Sequence, residues 1–129
     1  KKKKKDVIDI FDAKIVNFGV EFKLRLDNRY TDTDVLSRSV RKLQEYFEDK
    51  LYVGEPIYIN RLYSLLGKVD GVAEVRHLKI TSRSGASYSS NRVDLDEMRS
   101  RDGSYIKTPK NVIMELKFPD RDIKGTIIR

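Results

Sequence analysis

The sequence has no cysteine and no tryptophan among its 129 residues, and it has one histidine, His77. Without cysteine there is no disulfide bond, no thiolate nucleophile and no cysteine-ligated zinc. A lone histidine does not make a usual zinc site, and nothing in the sequence supplies the partners of a catalytic triad. We therefore interpret His77 as a strand residue and not as a ligand or a base.

Motifs for phosphate binding and for acyl transfer are also missing. The sequence contains neither a Gly-x-x-x-x-Gly-Lys-Ser/Thr loop nor Gly-x-Gly-x-x-Gly, and the serines at 82–90 have no Gly-x-Ser-x-Gly elbow. The loop acids lack the spacing of a calcium loop and are predicted to be solvated; they are Asp94, Asp96, Glu97, Asp120 and Asp122. We predict no catalytic residue, no metal and no cofactor, and hence a protein that is not an enzyme.

Long apolar runs are absent as well, since none approaches the roughly 20 residues that span a bilayer. The N-terminus is charged and lacks the apolar region of a secretory signal. Both observations predict a protein that does not enter a membrane.

The charge is uneven along the chain. The net charge is +7, and Lys1 to Lys5 supply five of these positive charges. Residues 1–13 are interpreted as a basic tail with an extended lead-in, and 14–129 as one domain with a long loop or arm at about 81–111. The lysine tail, together with Arg83, Arg92, Arg99 and Arg101, allows an alternative function, which is salt-sensitive binding to nucleic acid.

Nucleic-acid binding is the weaker hypothesis because of where the aromatic residues lie. An RNA-recognition sheet stacks bases on aromatics of its exposed face. Here Phe18 and Phe22 share one face with aliphatic residues, which is typical of a core. The opposite face of the same strand has no aromatic residue.

Hydrophobic periodicity predicts the fold. Alternation from Val16 to Leu26 predicts a strand with one buried face and one wet face, and the spacing of Leu36, Val40, Leu43 and Phe47 predicts an amphipathic helix. Thr31 and Asp34 have the form of a capping box at its start. We predict an α+β domain in which two helices, 33–49 and 58–67, pack on one face of a small, mostly antiparallel sheet of three or four strands. The predicted strands are 14–27, 72–82, 111–118 and 123–128.

The stretch 46–80 organises the chain. Gly54 and Pro56 predict a turn, Ile59, Leu62, Leu65 and Leu66 share one face of a short helix, and Asp70-Gly71 turns the chain into a strand. Alternation changes phase along that strand, which predicts a bulge near Arg76-His77.

A family resemblance lies in the same stretch. The runs Gly-Glu-Pro-Ile-Tyr-Ile-Asn-Arg-Leu at 54–62 and Val-Asp-Gly-Val-Ala-Glu-Val at 69–75 resemble the C-terminal part of baseplate J-like proteins. These include baseplate wedge subunits of contractile-tailed, T-even-like bacteriophages. The resemblance implies a structural protein of the virion tail, assembled in the host cytoplasm. It also implies self-association as a homodimer or a higher ring, and binding to other baseplate wedge proteins.

Tyrosines predict where such contacts occur. Tyrosine is favoured at protein interfaces because it buries a large area while its hydroxyl stays satisfied. The sequence has seven tyrosines, and four of them crowd between 46 and 63. The predicted interface residues are Tyr46, Tyr52, Tyr58, Tyr63 and Tyr88.

Overall fold

Eight elements form the fold in a computed structural model that describes residues 13–128. The predicted tail, 1–5, and nearly all of the lead-in, 6–13, lie outside the described residues. In chain order the elements are β1 (Lys14–Leu26), α1 (Asp32–Tyr46), α2 (Ile59–Gly67), β2 (Val72–Arg83), α3 (Leu95–Met98), β3 (Val112–Glu115), α4 (Pro119–Asp122) and β4 (Ile123–Ile128). The predicted α+β class is confirmed.

The strand β1 is the centre of the sheet and of the core. All of its even-numbered side chains from Val16 to Leu26 are buried, as the alternation predicted. Phe18 and Phe22 are the largest of them and are 0% and 1% exposed. Because α1 and α2 pack on this face, the apolar core lies between the two predicted helices and the sheet.

The sheet has four strands, and its longest ladder is antiparallel, between β1 and β2. On the other edge of β1, β3 pairs with the first part of the strand and β4 with the second part, and both run parallel to β1. The short helix α4 joins β3 to β4 along that edge. The sheet as a whole is therefore mixed, antiparallel on one edge of β1 and parallel on the other, a detail beyond the predicted class.

The predicted bulge is confirmed in β2. Lys23 pairs with His77 and Leu24 pairs with Val75, which leaves Arg76 as the extra residue. The extra residue moves Leu78 and Ile80 onto the core face, where both are buried. His77 is an exposed strand residue beside the bulge.

The second face of β1 is not wholly wet, and this part of the prediction was wrong. Asn17 is 1% exposed, and its amide donates to the carbonyl of Glu115 at 3.3 Å and to the Glu115 carboxylate at 2.7 Å. Its Oδ1 accepts from the Ser89 amide at 2.7 Å. The segment after β2 therefore covers the start of this face, because Asn17 supplies the hydrogen bonds that a buried backbone needs.

The helix α1 presents a slightly different face from the one predicted. Val35, Ser39 and Leu43 are buried, whereas Leu36 and Val40 are half-buried. The helix ends at Tyr46, before the predicted 49. Thr31 occupies the N-cap, but its side chain makes no capping hydrogen bond, so the predicted capping box is not formed.

The helix α2 agrees closely with the sequence. Ile59, Leu62 and Leu66 are buried, and Leu65 is half-buried. Turns flank the helix as predicted, with positive φ at Gly54 (75°) and Gly71 (96°). None of the helices between residues 13 and 128 is long and apolar enough to cross a membrane.

The arm at 84–111 packs on the domain. It contains α3, and Ile106 is completely buried. The Ile106 and Ile57 backbones exchange two hydrogen bonds, of 2.7 and 3.2 Å, which attach the arm to the turn before α2. Apolar anchoring and backbone pairing thus hold a segment whose composition is polar.

We predict that Gly125→Ala destabilises the fold by overpacking. A Cβ at this position would overlap Cζ of Phe22 and would lie 2.7 Å from Cδ1 of Leu36. Forcing atoms into a packed core costs about 1–3 kcal/mol, which urea denaturation would measure as a lower midpoint. The matched control is Gly67→Ala, because a Cβ there meets nothing within 4 Å. Equal midpoints for both variants would contradict the prediction.

A second prediction concerns Asp27, in the turn between β1 and α1. The Arg29 side chain donates to its carboxylate at 2.7 and 3.1 Å, and the Arg29 amide donates at 3.1 Å. These bonds, the side-chain ones first, lower the pKa of Asp27 to about 2. Because the folded pKa lies below the unfolded one, the resulting stability is present above the unfolded pKa, near 4, and is lost as pH falls towards 2.

Carboxyl NMR of the folded protein would check this prediction. In Arg29→Gln the pKa of Asp27 should rise, because the guanidinium is gone while the backbone donor stays. An unchanged pKa in the variant would show that Arg29 is not the cause.

Candidate protein-interaction site

A groove of about 780 Å³ lies between the C-terminal end of α1 and β3. Its apolar lining includes Phe18, Phe47, Leu51, Met114 and Leu116. Phe18 and Met114 are buried and form the floor, while Leu51 and Leu116 are half-buried at the sides. The groove is therefore lined by apolar surface that the chain has not fully covered.

Local structure explains why the groove forms. After α1 the chain turns through residues 47–54, and the Gly54 amide donates to the Val112 carbonyl at 2.7 Å. Gly54 has φ of 75°, a conformation that glycine adopts without a steric penalty. This turn holds Leu51 beside β3 and leaves the space between α1 and β3 open.

A line of aromatic rings runs from the core to the surface at this site. Phe47 packs edge-on against Phe18 at 5.4 Å, and Tyr46 packs edge-on against Phe47 at 5.0 Å. Tyr46 is 38% exposed at the end of α1. Its ring packs on the half-buried ring of Phe47, so it offers area to a partner at a low cost in side-chain entropy.

Charged side chains surround the apolar lining. Five of them are acidic and three are basic, although residues 13–128 carry a net positive charge. The acids are Glu45, Glu48, Asp49, Glu115 and Asp120, and the bases are Arg41, Lys50 and Lys117. The rim is therefore locally acidic.

The other predicted tyrosines lie on different parts of the domain. Tyr52 (36% exposed) is in the turn beside Leu51, and Tyr63 (37% exposed) is on α2. Tyr58 is half-buried at the N-cap of α2, with its ring 6.0 Å from Tyr105 and 4.4 Å from the Arg61 guanidinium. Tyr46 and Tyr52 are thus next in the chain to the groove residues Phe47 and Leu51 without lining the groove themselves, whereas Tyr58 and Tyr63 belong to the α2 surface.

Tyr88 makes its contacts within the domain, on the face of the sheet opposite the core. Its hydroxyl donates to Oδ1 of Asp122 at 2.6 Å, and its ring packs edge-on against Phe118 at 5.4 Å. Arg121 donates to the Tyr88 hydroxyl at 3.3 Å, which raises the pKa of Arg121. The structure therefore separates Tyr88 from the other four predicted interface residues.

The burial of Asp122 contradicts the prediction that the loop acids are solvated. It is 2% exposed, and the Arg83 guanidinium donates to its Oδ1 at 3.3 Å. Its Oδ2 is buried and has no hydrogen-bond partner among the described residues. Asp120 and Glu97, by contrast, are exposed as predicted. The signal that sequence reasoning missed is the placement of Asp122 one residue before an apolar strand.

The arginines of the nucleic-acid hypothesis are mostly engaged within the domain. Arg83 pairs with Asp122 and lies 3.9 Å from Glu21, and Arg99 lies 3.6 Å from Asp96. Arg92 donates to the Ser84 hydroxyl at 3.1 Å. Together with Arg101, these side chains are spread from the end of β2 along the arm, and binding to nucleic acid stays a prediction.

No group of three or more potential metal ligands occurs within residues 13–128. The groove residues Leu51, Met114 and Leu116 had no signal of their own in the sequence, because a groove arises from the distance between α1 and β3.

Neither the protein-family models nor the curated protein sequences that we compared with this chain give a match.

Proposed function

We propose that this chain is a structural assembly domain, a subunit of a contractile-tail baseplate wedge that associates with itself or with neighbouring wedge proteins. The observation that carries the proposal is the uncovered apolar groove, together with the exposed rings of Tyr46 and Tyr52, which are next in the chain to the lining residues Phe47 and Leu51. Aromatic residues are enriched at the well-packed centres of protein interfaces.

The resemblance at 46–80 supports the baseplate assignment. In this stretch the chain makes a turn, the helix α2, a second turn and β2, which is the local structure that the sequence predicted. Symmetric contacts between identical domains form closed assemblies, and many weak contacts act together once the subunits are held in a ring.

Light scattering coupled to size-exclusion chromatography tests the proposal on the full chain. We expect a mass that rises with protein concentration towards a dimer or a larger ring, or a stable complex with a baseplate wedge protein. The double variant Tyr46→Ala and Tyr52→Ala should weaken this association, because it removes the two exposed aromatic rings that are next in the chain to the groove lining.

The control is Tyr30→Ala, which removes a tyrosine that is 38% exposed and lies outside the predicted interface. A strict monomer at high concentration that binds no baseplate component would overturn the proposal. Association that is unaffected by the Tyr46 and Tyr52 variants would move the contact away from the groove.

A further inference from the structure

The acids around the groove are available to a binding partner. Within residues 13–128, none of the five lies within 4.0 Å of a lysine, arginine or histidine nitrogen, although six other ion pairs form elsewhere in that range. Glu115 accepts from Asn17 and Asp120 accepts weakly from Gln44, at 3.4 Å, and both are neutral donors. The rim therefore keeps an excess of negative charge, because its five acids outnumber its three bases and form no ion pair within residues 13–128.

The acids that carry this charge lie next to the apolar lining of the groove. Glu45, Glu48 and Asp49 are exposed at and just after the C-terminal end of α1, and Asp120 is exposed on α4, where the Gln44 side chain reaches it. These acids line the same groove as Phe47, Leu51 and Leu116. An occupant that complements both features must carry apolar side chains and, next to them, positive charge.

We propose that the groove binds a segment of a partner polypeptide in which two or three apolar side chains are flanked by lysine or arginine. This inference rests on the proposed function and names the chemistry of the partner. The apolar side chains contact Phe47, Leu51 and Leu116, and the flanking cations lie near Glu48 and Asp120. Charge complementarity sets orientation and association rate, and the apolar contact supplies most of the affinity.

The size of the groove agrees with such an occupant. Its volume of about 780 Å³ lies in the range of sites for compact ligands, roughly 300–1,000 Å³. A few side chains fill that space, whereas a whole domain does not enter it. The contact is therefore made by a short segment.

NMR titration of the full chain, labelled with ¹⁵N, tests the proposal. The probes are two synthetic peptides, acetyl-Lys-Lys-Leu-Ser-Phe-Ser-Leu-Lys-Lys-amide and the same peptide with glutamate in place of lysine. We expect the lysine peptide to shift the amide signals of residues 47–51 and 113–117 in a saturable way. The glutamate peptide should bind at least about fivefold more weakly, because each exposed charge contributes up to about 1 kcal/mol.

Two variants, each of which replaces one glutamate by lysine, test whether the position of the charge at the rim matters. Glu48→Lys should weaken binding of the lysine peptide about two- to fivefold, since it reverses one rim charge. Glu97→Lys, an exposed position on α3, should leave binding unchanged. Equal binding of both peptides, no saturable shift, or equal effects of the two variants would overturn the proposal.

Other occupants give different results. If the lysine peptide converts a dimer into a monomer in light scattering, a second copy of the chain occupies the groove. If serine at positions 1–5 tightens peptide binding in the full chain, the chain's own basic segment competes for it. Either result would overturn the partner proposal. Groove binding without any association with baseplate proteins would instead overturn the proposed function and leave the groove chemistry intact.

Discussion

Replacing Phe22 with alanine is expected to lower the free energy of unfolding by about 3–5 kcal/mol, the usual cost of removing a buried phenylalanine ring. Phe22 is 1% exposed at the middle of β1. Its ring fills the space above Gly125, so its loss leaves a cavity between α1 and the sheet. Domains are stable by only about 5–15 kcal/mol, so this change removes a large share of the total.

Chemical denaturation followed by circular dichroism would measure the effect. The control is Tyr63→Ala, which removes a ring that is 37% exposed on α2 and should change stability by less than about 1 kcal/mol. If Phe22→Ala unfolded at the same urea concentration as the unchanged protein, β1 would not be the centre of the core.

The second large effect is expected at Asp122. Asp122→Ala should destabilise the domain by about 2–3 kcal/mol, because it removes a charged acceptor from the Tyr88 hydroxyl and from Arg83. The Arg83 side chain is 22% exposed and keeps Glu21 at 3.9 Å, so solvent and the second acid offset part of the loss. The expected cost is therefore below that of breaking a fully buried ion pair.

The effect of burying the acid is isolated by comparing Asp122 with Glu21, the other acid near Arg83. Glu21→Gln removes the other acid of Arg83, but the Glu21 side chain is 47% exposed, and the expected change is within about 1 kcal/mol. Asp122→Asn should fall between the two variants, because it keeps an acceptor for Tyr88 and loses the charge. Equal effects of the Asp122 and Glu21 variants would show that burial does not set the strength of this contact.

Much of the fold could be predicted from residue patterns that act over short distances. Strict alternation identified β1, and the change of phase in β2 identified the extra residue near His77. Glycines at the two turns flanking α2 identified where the chain reverses. Each of these signals depends on neighbours within a few residues, so the sequence carries it directly.

The parts that could not be predicted depend on residues far apart in the chain. Asn17 is buried because Glu115 and Ser89 supply its hydrogen bonds, and Asp122 is buried because Tyr88 and Arg83 lie above it. A polar residue in an alternating strand is expected to face water unless such partners are known. The parallel direction of β3 and β4 likewise follows from the path of the arm and of α4.

The groove had only an indirect signal. Tyr46 and Tyr52 were predicted to be interface residues, and each is next in the chain to a residue that lines the groove, Phe47 and Leu51 respectively; their role in an interface stays a prediction. The acidic rim was not predicted, because its members come from the end of α1, from β3 and from α4. Tyr88 was grouped with them by residue type, although its hydroxyl serves Asp122.

The position of β1 has a consequence for how the protein is made. Synthesis starts at the N-terminus, so β1 is complete long before the strands that flank it. Asn17 bonds to a residue 98 positions later, and β4 ends at Ile128. Until then β1 exposes an unpaired edge and a row of large apolar side chains, the combination that promotes aggregation. The nascent chain therefore depends on early docking of α1 and β2, and the sheet closes only after translation has passed Ile128.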